Sequence, residues 1–147
     1  MIKKLNHPGW ENSGFGNSVS ISETHVAVGA KGTGTAFVYD ATDGEEINEL
    51  LYVAPGGENG DHFGDSVTCA SAGWPMLVGA RGYEDDEGAV YIYSGPDDAA
   101  PVVVQPPGSS VALQEFGYAV AYASGKFVVG ARELGDDKVG AAFLYSL

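Results

Sequence analysis

Residues 116–145 read FGYAVAYASGKFVVGARELGDDKVGAAFLY, and two closely related stretches stand earlier in the chain. One begins FGNSVSISETHVAVGA at Phe15, and the other begins FGDSVTCASAGWPMLVGA at Phe63. Each runs through Phe-Gly, an alternating segment, Gly-Ala, a basic residue, a glycine and a segment that ends in Tyr. A fixed order of this kind, found three times in one chain, indicates a repeat architecture.

Each repeat predicts a series of short antiparallel strands. In the first repeat Val19 and Ile21 alternate with serines, which is the period of two expected of a strand. Gly-containing turns then separate a second strand ending in Gly-Ala from a third ending in Tyr. A fourth apolar run follows in two repeats, within 45–53 and at 102–104, and we interpret 45–53 as a strand although its spacing also fits one helical turn.

The third repeat has no fourth run, but residues 1–5 precede the first Phe-Gly as the fourth runs precede the other two. We therefore interpret residues 1–5 as the outer strand that completes the last repeat. The predicted fold class is all-β: a β-propeller of three four-stranded antiparallel blades, in a single domain over residues 1–147 with repeats starting near 15, 63 and 116.

Closure of this propeller requires more than one chain, because propellers have about four to eight blades. We expect homodimerisation into a ring of six blades, which would cover the apolar flanks of the first and last blades. A contact that does not close would instead produce a filament, and a piece of a longer propeller would have the same exposed flanks.

Composition narrows the function further. The chain has 7 basic and 20 acidic residues and a net charge of -13, so nucleic acid and anionic membranes would be repelled. No apolar run reaches transmembrane length, and no signal peptide is recognisable in the sequence. The single cysteine, Cys69, excludes an intramolecular disulfide and is expected to be buried in a strand.

The motifs resemble the FG-GAP repeats of integrin α-chain propellers. The resemblance implies a non-catalytic binding or structural scaffold for adhesion or protein interaction, located outside the cell or at its surface. Two features depart from the family pattern: Lys31, Arg81 and Arg132 replace the proline of Gly-Ala-Pro, and no turn carries Asp-x-Asp-x-Asp-Gly. We therefore expect no cofactor at the calcium position that the family uses.

Loops that join strands two and three share one end of a blade with loops that enter the next blade. This end is the predicted ligand-binding face, and its candidate residues are Trp10, Lys31, Arg81, Tyr83, Asp85, Asp86, Arg132 and Asp136. Its three cations could bind an acidic partner or a sugar acid. Alternatively, each could pair with a nearby carboxylate, such as Asp85 or Asp136, and brace the blades.

The same face carries acidic and aromatic residues suited to other ligands. The run Glu84, Asp85, Asp86, Glu87 offers oxygen ligands for calcium, but adjacent acids are also typical of a solvated turn. Trp10 and Tyr83 could stack on a sugar, as in a lectin.

The sequence contains no Gly-x-Ser-x-Gly elbow and no pair of histidines with metal-ligand spacing. We therefore predict that the protein is not an enzyme. The alternative is a hydrolase with an unrecognised site. The expected partners are a second copy and a protein or glycan ligand.

Overall fold

A computed structural model describes residues 2–6, 9, 11–43, 46–50, 61–96, 98–108, 115–133 and 139–147. Within these ranges the protein is all-β apart from α1, a single turn at Tyr83–Asp86. The eleven strands are β1 Phe15–Ile21, β2 His25–Ala30, β3 Thr35–Asp40, β4 Glu46–Leu50, β5 Phe63–Cys69, β6 Met76–Ala80, β7 Ala89–Tyr93, β8 Val102–Val104, β9 Phe116–Ala123, β10 Lys126–Ala131 and β11 Ala141–Ser146.

The strands form three antiparallel sheets in the strand orders β1-β2-β3-β4, β5-β6-β7-β8 and β11-β10-β9. We call them the first, second and third blades. Each begins at a Phe-Gly, as the repeats predicted, and the segment from 45 to 53 does contribute a strand. The third blade has three strands in the described part of the chain, so its outer edge is β11.

The N-terminal residues lie beside the first blade. Residues 2–6, as described, form no strand; Leu5 packs against the outward-facing apolar cluster of the first blade. The Tyr39 hydroxyl donates to the Asn6 carbonyl at 3.0 Å. The outer strand predicted for residues 1–5 is therefore not present among the described residues 2–5.

Apolar side chains fill the spaces between blades. Ala27 and Val38 of the first blade pack in one cluster with Phe63 and Val67 of the second. The opposite face of the second blade packs on the third in another cluster, around Phe116. Cys69 is buried at the first of these interfaces, as predicted. The core thus consists of apolar layers between the facing sheets of neighbouring blades.

Every Phe of a Phe-Gly pair packs on an aromatic ring from the third strand of its own blade. The ring centroids are 5.4 Å apart for Phe15 and Phe37, and 5.3 Å for Phe63 and Tyr91. Phe116 lies 5.7 Å from Phe143. In each blade these edge-on or tilted pairs link strand one to strand three across strand two.

The blades meet at a seam where two glycines come together. A Cβ built on Gly29 would overlap the carbonyl oxygen of Gly64, and a Cβ on Gly79 would overlap that of Gly117. A serine hydroxyl closes each seam: Ser18 donates to the Gly64 carbonyl at 2.9 Å, and Ser66 to the Gly117 carbonyl at 2.7 Å. Each seam thus joins the glycine of Gly-Ala to the glycine of the next Phe-Gly.

The seam predicts a sharp difference between two equivalent glycines. Gly79→Ala should lower the free energy of unfolding by about 1–3 kcal/mol, because the new methyl group overlaps the next blade. Gly130→Ala is the matched control, since its Cβ would meet the Cβ of Ala119 at 3.5 Å, an ordinary contact. Urea unfolding of both variants, at a protein concentration where the chain is monomeric, measures the difference. Equal midpoints would contradict the seam.

Candidate functional site

The predicted cations lie at equivalent positions, one residue beyond β2, β6 and β10. The neighbouring loops share their end of the blades. Gly82 donates its backbone N–H to the Asp61 carbonyl at 3.0 Å, and Glu115 donates its own to the Asp86 carbonyl at 2.9 Å. These bonds place the loop after β6 beside the loop that enters the second blade, and α1 beside the loop that enters the third.

Ion pairs link the three cations through two carboxylates. Asp65 accepts from Lys31 Nζ at 3.0 Å and from Arg81 Nε at 2.5 Å. Glu115 accepts from Arg81 Nη1 at 2.6 Å and pairs with Arg132 Nε at 2.6 Å. The result is a continuous ladder that runs from the first blade through the second to the third; we call it the charge ladder.

The carboxylates of the charge ladder are the buried members. The side chains of Asp65 and Glu115 are 8% and 10% exposed, whereas that of Arg132 is 51% exposed. A buried carboxylate is stable only when cations and hydrogen-bond donors surround it, and here each has two cations. Tyr118 adds an aromatic face 4.9 Å from the Arg132 guanidinium carbon. The ladder is thus a structural brace between blades.

This arrangement corrects the predicted partners of the cations. The bracing interpretation is supported, but the carboxylates are Asp65 and Glu115; no ion pair involves Asp85 in the described chain, and Asp136 lies outside the described residues. Sequence reasoning missed both carboxylates. Their positions beside the Phe-Gly motifs could have indicated them, because Glu115 directly precedes one Phe-Gly and Asp65 directly follows another.

The acidic run forms a tight turn with left-handed backbone. Glu84, Asp85 and Asp86 have φ values of 48°, 58° and 68°, and Gln105 donates to the Glu84 carboxylate at 3.0 Å. Among the described residues no group of three His, Cys, Asp or Glu side chains is arranged to hold a metal ion.

Tyr83 packs into the protein rather than presenting its ring face. It lies against the cluster between the first two blades, 6.2 Å from Tyr91 in an edge-on arrangement. Burial, with the adjacent Glu84, raises its pKa above the ordinary value. Trp10, the other aromatic residue predicted on this face, lies outside the described residues.

Two shallow cavities lie at the blade surfaces. One, of about 450 Å³, is lined by Tyr118, Gly130, Ala131, Arg132, Gly140, Ala141 and Ala142, on the outer face of the third blade. The other, of about 470 Å³, lies at the opposite end of the blades and is lined in part by Trp74 and Tyr122. Trp74 also packs against His25, with ring centroids 5.9 Å apart, as a packed turn would.

In the described chain no helix is long and apolar enough to cross a membrane.

Removal of one ladder carboxylate should loosen the blades. Glu115→Gln keeps the side-chain shape but leaves Arg81 with one carboxylate instead of two, so we expect a loss of about 1–3 kcal/mol in the free energy of unfolding. Glu133→Gln is the control, because its 3.5 Å contact with the half-exposed Arg132 contributes little. Urea midpoints measure both, and a Glu115→Gln variant as stable as the control would rule out the brace.

Buried tyrosines predict instability in alkali. Burial raises the pKa of Tyr91 and Tyr145 above the ordinary value of 10.0. A raised folded-state pKa means that stability is complete below about pH 10, where unfolded tyrosine ionises, and falls as the pH rises towards the folded value. The urea midpoint should therefore be level below about pH 10 and drop progressively as the pH rises above that value. Tyr91→Phe should flatten that slope, and an unchanged slope would contradict the assignment.

Comparison with known families identifies one segment. Residues 52–93 match the family model of the FG-GAP repeat. The match covers the strands from β5 to β7, and so includes the second Phe-Gly, Arg81 and the strand that ends at Tyr93. No curated protein matches the chain.

Proposed function

We propose that the chain, whose residues 52–93 match the FG-GAP repeat, is a non-catalytic interaction module, a propeller scaffold for adhesion or protein binding. FG-GAP repeats generally serve as binding scaffolds rather than enzymes. The charge ladder supports the same proposal, because its cations are used between blades instead of converging on a reaction site.

We also propose that the scaffold is completed by self-association. The supporting observation is the exposure of residues whose counterparts are buried. Val19 and Ile21 of the first blade are 68% and 73% exposed, whereas Val67 and Cys69 at the same places in the second blade are 6% and 8% exposed. Apolar surface of this kind is expected to be covered in solution.

Two copies joined head to tail would make a ring of six blades. In such a ring residues 1–5 of one copy would pair with the open edge β11 of the other and supply its fourth strand. Backbone donors and acceptors on an open strand edge favour this kind of strand addition. The same contact without closure would build an extracellular filament, which is the alternative assembly.

A lectin-like function is the second candidate for the ligand. It was predicted from Trp10 and Tyr83, and the packing of Tyr83 against Tyr91 weakens it. We place the working location outside the cell or at its surface, as is typical of the family, and propose that no calcium is required at Glu84–Glu87.

Light scattering coupled to size-exclusion chromatography tests the assembly. We expect a mass near twice the 15.2 kDa of one chain, unchanged by a calcium chelator. A filament would instead elute as very large species. A mass of one chain at every concentration would overturn self-association, and a loss of mass with chelator would overturn calcium independence.

A further inference from the structure

We propose that the cavity on the outer face of the third blade is a socket for the Phe15-Gly16 turn of a second copy of this chain. This inference rests on the self-association proposed above and assigns its contact residues. The socket is defined here by Gly130, Ala131 and Ala141, which line that cavity of about 450 Å³.

The two internal seams show what such a socket receives. The Phe-Gly glycine of each following blade enters between the end of strand two and the start of strand three. A Cβ on Gly64 would overlap the Thr35 carbonyl and lie 3.1 Å from the Ala30 nitrogen. A Cβ on Gly117 would overlap the Ala89 carbonyl and lie 3.3 Å from the Ala80 nitrogen. The same receiving site therefore occurs in the first and second blades. In each it consists of the Gly-Ala glycine, the nitrogen of the alanine that follows it and the carbonyl of the first residue of strand three.

The third blade repeats the receiving site with nothing in it from the described chain. Ala131 and Ala141 pair directly at the ends of β10 and β11, as Ala80 and Ala89 pair in the second blade. Gly130 corresponds to Gly79. A Cβ on Gly130 would meet only Ala119 atoms at 3.5 Å or more, in contrast to the overlap at Gly79.

The first blade carries the matching insert. Gly16 has φ +87°, the value that Gly64 also has when seated in its seam. A Cβ on Gly16 would nevertheless find no atom within 4 Å among the described residues. The exposed Val19 and Ile21 continue the same face along β1. The Phe15-Gly16 turn therefore already has the backbone conformation of a seated turn, so the turn itself need not rearrange on docking.

The contact between copies would lack the polar links of the internal seams. Ala119 pairs with Gly130 where Ser66 pairs with Gly79, so no hydroxyl is available to bind the incoming glycine carbonyl. The incoming blade offers Asn17 at the position of Asp65, so it adds no carboxylate there for Arg132. Apolar burial and strand pairing would carry the association, which should therefore be weaker than the internal seams and concentration-dependent.

Gly130→Ala tests the socket directly. The added methyl group is accommodated in one chain but would overlap the Gly16 carbonyl of a docked copy, as the internal seams indicate. At a protein concentration where the wild type is monomeric, we expect the variant to have an unchanged urea midpoint. In sedimentation equilibrium it should raise the dissociation constant of self-association about tenfold or more. Gly95→Ala is the matched control, because its Cβ would find no atom within 4 Å and it should leave association unchanged.

Ala119→Ser tests the same site in the opposite direction. A hydroxyl at this position should donate to the incoming Gly16 carbonyl, as Ser18 and Ser66 do within the chain, and tighten association about threefold to tenfold. A gain of affinity cannot come from a folding defect, so this variant complements the blocking one.

The outcomes separate the two proposals. Association that Gly130→Ala weakens and Ala119→Ser strengthens supports the socket, whether the assembly is a ring or a filament. Association that neither variant alters would overturn the socket and leave self-association standing. A wild-type chain that stays monomeric at every concentration would overturn both.

Discussion

The close approach of two glycine backbones sets the spacing of the blades. At each internal seam the glycine of Gly-Ala faces the carbonyl of the next Phe-Gly glycine, with no room for a Cβ between them. This contact brings the sheets near enough for Ser18 and Ser66 to reach across, and for the apolar faces of neighbouring blades to exclude water. The Phe of each motif then packs inside its own blade. The Phe-Gly dipeptide thus acts at two levels. Its phenylalanine packs within a blade, and its glycine sets the distance from the preceding blade.

The charge ladder acts over the same seams by a different kind of interaction. In an acidic protein with 7 basic residues, three occupy one equivalent position and enclose two buried carboxylates. Desolvation makes a lone buried carboxylate costly, but Asp65 and Glu115 each bridge cations from two blades, so displacing one blade would expose uncompensated charge. The ladder therefore opposes relative movement of blades. Each of the three repeated cations is thus paired with a carboxylate of the scaffold.

Sequence patterns predicted the repeats, the order of the blades and the starts of the strands. The patterns are the repeated Phe-Gly and the alternation of apolar and polar residues. The ladder carboxylates could not be predicted, because a β-bulge between Phe63 and Ser66 breaks that alternation and re-aims Asp65. Glu115 has a φ of 46°, a local geometry that no periodicity reveals. The position of the N-terminal residues is a different case: Leu5 packs against the first blade, whereas the open edge β11 belongs to the third.

A repeat protein of this kind is held by contacts between neighbours, so its two ends carry the two halves of a contact that the interior already makes. The ends here are not simple copies of the interior. The internal seams have a serine hydroxyl and a bridging carboxylate, whereas the last blade has Ala119 and the first has Asn17 at the corresponding places. Blades within one chain are thereby fastened by polar links that the ends cannot form with each other. If a second copy covers the outer face of the third blade, the folding of three blades in one chain and the association of two chains are separate events. Only the association depends on protein concentration.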